Sequence, residues 1–193
     1  MGIDSLSDEA LMKRVCEREA EAFRVLYVRY ESRIFNFVLR HVDHPGLAEE
    51  LLQETFWRVW QAARTFRADR AQFKTWLYKV ALNATRSEMA RKSHLLEQRL
   101  RAQDGVREQA RFASQEAGPA ERLEQTEMAG LLASALGALP APYREVIGLK
   151  CIDGLKFSEI AAITGAPEGT LKARFHRGVA ELKRRLIVRE KKS

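Results

Sequence analysis

Cysteine, long apolar runs and strand-like alternation are all scarce in this chain, and each scarcity excludes something. Only two cysteines occur in 193 residues, Cys16 and Cys151, far apart in the sequence. Two thiols give no disulfide framework and suit a reducing cytoplasm. Both fall in amphipathic helical runs and are expected to be small core residues. No apolar run approaches the ~18–20 residues of a bilayer span, and the N-terminus lacks a signal-peptide pattern, so direct membrane insertion is not expected. His41 and His44 are close, but Pro45 follows and neither a cysteine nor an acidic ligand stands at a useful spacing, so no metal site is expected there. A Gly-rich phosphate loop is missing, as is a nucleophile with a base at a recognisable distance; neither a cofactor nor an enzyme is expected. With period-two alternation nearly absent, the expected fold class is all-α.

Charge is abundant. Lys and Arg number 33 against 26 Asp and Glu, a net charge of +7 with pI ≈ 9.6, which favours an anionic partner. The excess is uneven: residues 168–193 carry 9 basic and 3 acidic side chains, about +6, whereas residues 93–127 sum to about −2. The last nine residues, RLIVREKKS, read equally well as a solvated tail.

Helical periodicity sets the organisation. A short helix is expected over 8–16, a second from Ala22 to Val42, a third from Ala48 to Ala63 and a fourth from Phe73 to Arg91, with HVDHPG breaking the second. Residues 93–126 have few large apolar side chains and read as a flexible linker. A second helical unit follows: MAGLLASALGAL stops before Pro140, and the next helix carries Tyr143, Val146, Ile147 and Cys151 inward. Two small helical domains are therefore expected, an N-terminal bundle over 7–92 and a C-terminal unit over 127–187.

Three helices carry side chains their own cores do not need. At the C-terminus, Leu171, Phe175, Val179, Leu182 and Leu186 form an apolar stripe, and opposite it stand Thr170, Ala173 and Arg177, flanked by Lys172, Arg174 and His176. A short cationic face at a helix N-terminus, following a tight turn, fits a DNA major groove, so LKFSEIAAITGAPEGTLKARFHRGVAELKRRL reads as a helix-turn-helix. In the third helix Ala48, Leu51, Leu52, Thr55, Val59 and Ala62 supply the core, leaving Glu49, Glu50, Gln53, Trp57 and Trp60, an aromatic and acidic protein-docking surface. The fourth helix turns Phe73, Leu77, Val80, Ala81 and Ala84 inward and leaves Thr75, Lys79, Asn83 and Arg86 outward, with Trp76 at the margin. A planar amide, cations and rings suit a single strand with an unstacked base.

Taken in order, AEELLQETFWRVWQ, then FRADRAQFKTWLYKVALNAT, a linker, and LPAPYREVIGLKCIDGLKFSEIAAITGAPEGTLKARFHRG resemble a bacterial sigma factor, and more narrowly the small extracytoplasmic-function (ECF, group 4) type. The resemblance implies a promoter-specificity subunit, with 7–92 as sigma region 2 and 127–187 as sigma region 4. Glu49, Glu50, Gln53, Glu54, Trp57 and Trp60 would meet the β′ clamp helices of core RNA polymerase, and the C-terminal domain the β flap. Phe73, Trp76, Lys79, Asn83 and Arg86 would read the −10 element. Thr170, Lys172, Ala173, Arg174, His176 and Arg177 would read the −35 element. An anti-sigma factor is also implied, and a cytoplasmic location.

Three positions depart from the family pattern. Arg18 and Glu19 replace the usual Gly-Asp between the first two helices, which suggests a continuous or bent helix. Glu50 replaces an Asp in the docking motif, and Lys156 replaces the Ser or Thr that caps the first helix of the helix-turn-helix, at a cost of about 1 kcal/mol. Two other readings of the residues remain: a repressor or activator with a sensing or dimerising N-terminal domain, and a nucleic-acid enzyme, which lacks the inventory.

Overall fold

A computed structural model describes residues 2–42, 44–102 and 134–190. All regular structure among them is helical: α1 (Asp8–Cys16), α2 (Ala20–Val42), α3 (Pro45–Gln61), α4 (Phe73–Ala102), α5 (Ala141–Ile147), α6 (Phe157–Thr164) and α7 (Glu168–Glu190), with short 3-10 turns at Ile3–Ser5 and Ala63–Thr65.

Local chemistry fixes where these helices start. The Ser7 hydroxyl accepts the Ala10 N–H at 3.2 Å and caps α1. His44 does the same for α3 through Nδ1, which accepts the Leu47 N–H at 3.2 Å, and Pro45 takes the first helical position. The N-terminus of α4 is satisfied from another element: the Phe73 N–H donates to the Glu9 carboxylate at 3.2 Å. Between α1 and α2 the chain does break. Arg18 sits at φ 67°, the left-handed conformation that a glycine adopts without strain. Its guanidinium donates to the Trp60 carbonyl at 2.9 Å and lies 5.1 Å from the Trp60 ring centre, contacts that offset the ~1–2 kcal/mol cost of that backbone. The continuous helix suggested by Arg18-Glu19 is therefore not formed.

The α1–α4 bundle closes over Leu11, Met12, Leu26, Ile34, Phe37, Val59, Leu77 and Leu82, all fully buried. Phe56, which the sequence reading left out of the core, packs edge-on to Phe23 and tilted against Tyr27. Thr75, expected outward, is buried. Helix α4 also runs past Arg91 to Ala102, so the first ten residues of the expected linker are helical. No Gly or Pro interrupts Ser87–Ala102, and Met, Ala, Arg, Leu, Glu and Gln all favour helix. The rest of that linker, and the first half of MAGLLASALGAL, residues 128–133, lie outside the described residues.

In the C-terminal domain α5 widens into a π turn over Gly148–Ile152. The wider turn shifts the register, so Cys151, expected inward, is exposed, while Val146, Ile147 and Leu149 stay buried. α6 lacks a side-chain cap from Lys156, yet the Lys156 N–H donates to Glu159 at 2.6 Å, supplying the other half of a capping box. α6 ends at Gly165, φ 78°, and Pro167 precedes α7. The two domains do not stand apart. Leu149, Leu155, Ile160 and Leu171 belong to the same apolar cluster as Phe37, Tyr78 and Leu82.

Burial separates two neighbours on α2. Leu26→Ala, at a fully buried site, is expected to cost about 2–5 kcal/mol. Val28→Ala, 58% exposed, should stay within about 0.5 kcal/mol. Urea unfolding of both variants measures the difference, and equal losses would contradict this helix face.

Candidate nucleic-acid and polymerase interface

Helix α7 presents the candidate DNA-facing set by burying what surrounds it. Leu171 is 2% exposed and Phe175 packs edge-on against Phe157 of α6 at 5.7 Å, which turns Thr170, Lys172, Ala173, His176 and Arg177 to solvent. Arg174 is half-buried beside the seam between the domains. Lys172 leans on Glu168 at 3.6 Å, whereas Arg174 and Arg177 make no ion pair among the described residues. Gly178 is buried where α7 crosses α5: a Cβ there would lie 2.8 Å from the Ile147 Cδ1, so a close helix crossing seats α7.

On α3 the side chains Glu49, Glu50 and Gln53 are exposed, Glu54 is half-buried and paired with Arg58 at 2.7 Å, and Trp57 is 58% exposed. Trp60 differs. It is half-buried, edge-on to Phe23 at 5.1 Å and covered by Arg18, so it holds the bundle and leaves only its margin exposed.

On α4, Lys79 and Asn83 are exposed. Trp76 is half-buried and tilted against Phe66 at 5.3 Å. Phe73 is fully buried between Tyr30 and Phe66, with no free face for a base, and is withdrawn from the candidate DNA contacts. Its helical position beside Leu77 already placed it inward. Arg86 is exposed but donates to Glu145 of α5 at 3.2 Å.

The group that the sequence reading missed lies at the domain seam. Asp153, in the turn before α6, accepts from Arg40 at 2.6 Å and from the Tyr78 hydroxyl at 3.0 Å, and its carbonyl accepts from Lys74 at 3.0 Å. Its side chain is 3% exposed. Burial pushes the carboxyl above its usual range, while Arg40, the Tyr78 hydroxyl and Lys74 pull it back. Burial and the neighbouring carboxylate raise the Tyr78 hydroxyl as well. Nearby, a cavity of about 170 Å³ is lined by Arg40, His41, Arg86, Met89, Arg144 and Glu145, among others. The His41 Nδ1 donates to the Phe37 carbonyl at 2.8 Å, and its Nε2 is buried without a partner. Among the described residues no cluster of His, Cys, Asp and Glu could hold a metal, and no helix is long and apolar enough to cross a membrane.

A helix-turn-helix with a cationic outer face, joined to a bundle with its own unused aromatic and polar faces, defines a two-domain nucleic-acid-binding protein. Comparison with known proteins narrows the class. Residues 26–94 match Sigma-70 region 2 and residues 129–182 match Sigma-70, region 4. The ECF RNA polymerase sigma-E factor of Escherichia coli is 31% identical over 90% of this chain and 91% of its own. The sigma factor SigW of Bacillus subtilis is 29% identical over 91% and 94%. Among solved structures, CnrH bound to the cytosolic domain of CnrY superposes with a TM-score of 0.68 at 25% identity, over 94% and 97% of the two chains. RpoE of Bartonella quintana, bound to the anti-sigma factor NepR, gives 0.65 at 25% identity over 86% and 97%. The chain belongs to the ECF sigma factors, which bind core RNA polymerase and direct it to promoters.

Burial holds the His41 pKa below its ordinary value, against the Phe37 carbonyl and Glu145, which raise it. Between about pH 7.5 and that depressed pKa the unfolded chain, with His near 6.5, binds a proton the folded chain does not. Stability is therefore expected to fall as pH drops through this window, and His41→Gln should flatten the slope. Urea unfolding at pH 7.5 and 5.5 checks this, and an unchanged slope in the variant would contradict it.

Proposed function

We propose that this chain is a group 4 sigma factor that works in the cytoplasm without catalytic chemistry of its own, under the control of an anti-sigma factor. Residues 7–92 act as region 2, residues 93–126 as the connection and residues 127–187 as region 4. Glu49, Glu50, Gln53, Glu54 and Trp57, with the margin of Trp60, dock on the β′ clamp helices, and region 4 meets the β flap. Trp76, Lys79, Asn83 and Arg86 receive the −10 strand. Thr170, Lys172, Ala173, Arg174, His176 and Arg177 enter the −35 major groove.

The observation that carries this reading is the split of α7. Leu171 is buried while its neighbours Thr170, Lys172 and Ala173, with Arg177 a turn further on, are exposed, next to a turn fixed by Gly165 and Pro167. A single helix face of that kind binds DNA weakly, and so does a four-residue single-strand site. Both gain from being carried on polymerase, which raises the effective concentration of each. Anti-sigma control is supported by the relative from Bartonella quintana, which was solved bound to such a factor.

Run-off transcription with core polymerase on a panel of −35 variants tests the assignment. Arg177→Ala is expected to weaken particular −35 sequences by about 5- to 150-fold, the worth of a bidentate contact to guanine. Lys172→Ala should weaken all of them alike, as loss of a phosphate contact does. A uniform loss in both would refute the roles. Trp57→Ala should reduce core binding by about tenfold or more while leaving the helical circular dichroism intact, because Trp57 is 58% exposed. Unchanged affinity for core would remove α3 from the interface.

A further inference from the structure

We propose that Asp153 is the latch of a closed free form, one that must open before the chain can engage a promoter. The proposal rests on the sigma factor assignment and goes beyond it. The seam is built from both sides. The π turn brings the Asp153 N–H to the Gly148 carbonyl at 3.0 Å, and Gly154, φ 67°, turns the chain back so that the Leu155 N–H meets the Leu149 carbonyl at 3.0 Å. That loop drives the carboxylate into the N-terminal domain, where Arg40 and Tyr78 each take one oxygen and Lys74 takes the carbonyl. Arg40 passes so close to Gly148 that a Cβ there would lie 3.1 Å from its Nε. Arg86–Glu145 forms a second tie.

The closed form cannot be the promoter-bound one. Arg86, proposed for −10, and Arg174, proposed for −35, line one and the same cavity of about 50 Å³. The two promoter elements lie about 25 base pairs apart, about 85 Å along B-DNA at 3.4 Å per step. Side chains that share a cavity cannot reach both. Arg86 is in addition already paired to a carboxylate. The latch is also suited to release. A buried ion pair gains little over its hydrated parts, because desolvation offsets most of the attraction. Opening returns Asp153, Arg40 and Lys74 to water, and polymerase, by binding only the spread form, draws the population over.

Small-angle X-ray scattering of the free full-length chain tests the latch. Asp153→Ala and Arg40→Ala should each raise the radius of gyration by about 3 Å or more over wild type, towards two tethered bodies. The double variant should add nothing further, because both changes break the same tie. Tyr78→Phe, which removes one hydroxyl and keeps the ring packing, should give a smaller rise and guards against a variant that fails to fold. A wild-type chain as extended as the variants, or variants as compact as wild type, overturns the latch. Run-off transcription at saturating core separates the two ideas. Promoter-directed product with no change in scattering sinks only the latch, whereas no product from the wild type sinks the sigma factor assignment beneath it.

Discussion

A carboxylate cannot be taken out of water without replacement partners, and that constraint shapes the seam between the two domains. Asp153 is 3% exposed, and everything that compensates it comes from the other domain: a guanidinium, a phenol and an ammonium on α2 and α4. Removing one partner from such a buried pair typically costs about 3–5 kcal/mol, because the other is left uncompensated. The apolar cluster that runs from Phe37 and Tyr78 to Leu149 and Leu155 surrounds the group and keeps water from it. The seam is thus specific in register: this turn, with Gly148 and Gly154 on either side of Asp153, brings an acid to those three groups.

The same seam decides which of the functional faces is free. The outer face of α3, with Trp57, is turned to solvent and needs no rearrangement to meet a partner. The faces proposed to read DNA are less free, since Arg86 is tied to Glu145 and Arg174 is half-buried at the contact. If the proposed roles hold, a docking face that is free beside nucleic-acid faces that are partly engaged implies an order of events: polymerase first, promoter afterwards.

How much of this was legible in the sequence differs by level. The break after α2 and the start of α4 at Phe73 were, but α3 starts at Pro45, three residues before the expected Ala48, because the His44 ring caps it. The outward face of α7 was, because a 3.6-residue period assigns Leu171 and Arg177 to opposite sides whatever packs against them. Phe56, Thr75 and Trp60 were misjudged, because a helix packed on two neighbours buries more than one stripe, and a period computed for one stripe leaves the flank residues undecided. Cys151 was misplaced because a π turn adds a residue per turn, which no periodicity count anticipates. The Asp153 cluster was not legible at all: Arg40, Lys74 and Tyr78 are ordinary surface-pattern residues until the fold brings them to an acid 75 to 113 positions away. Arg18 shows the reverse case, a left-handed turn kept by a non-glycine residue because a ring and a carbonyl hold its side chain.

The central claim is that one chain alternates between a closed free form and a spread form on the promoter. Pulsed dipolar spectroscopy between one spin label on each domain tests it most directly, in the free chain and then in the complex with core polymerase and promoter DNA. The account predicts a single short distance in the free chain, replaced by one longer by tens of ångströms in the complex. The same distance in both states would contradict it.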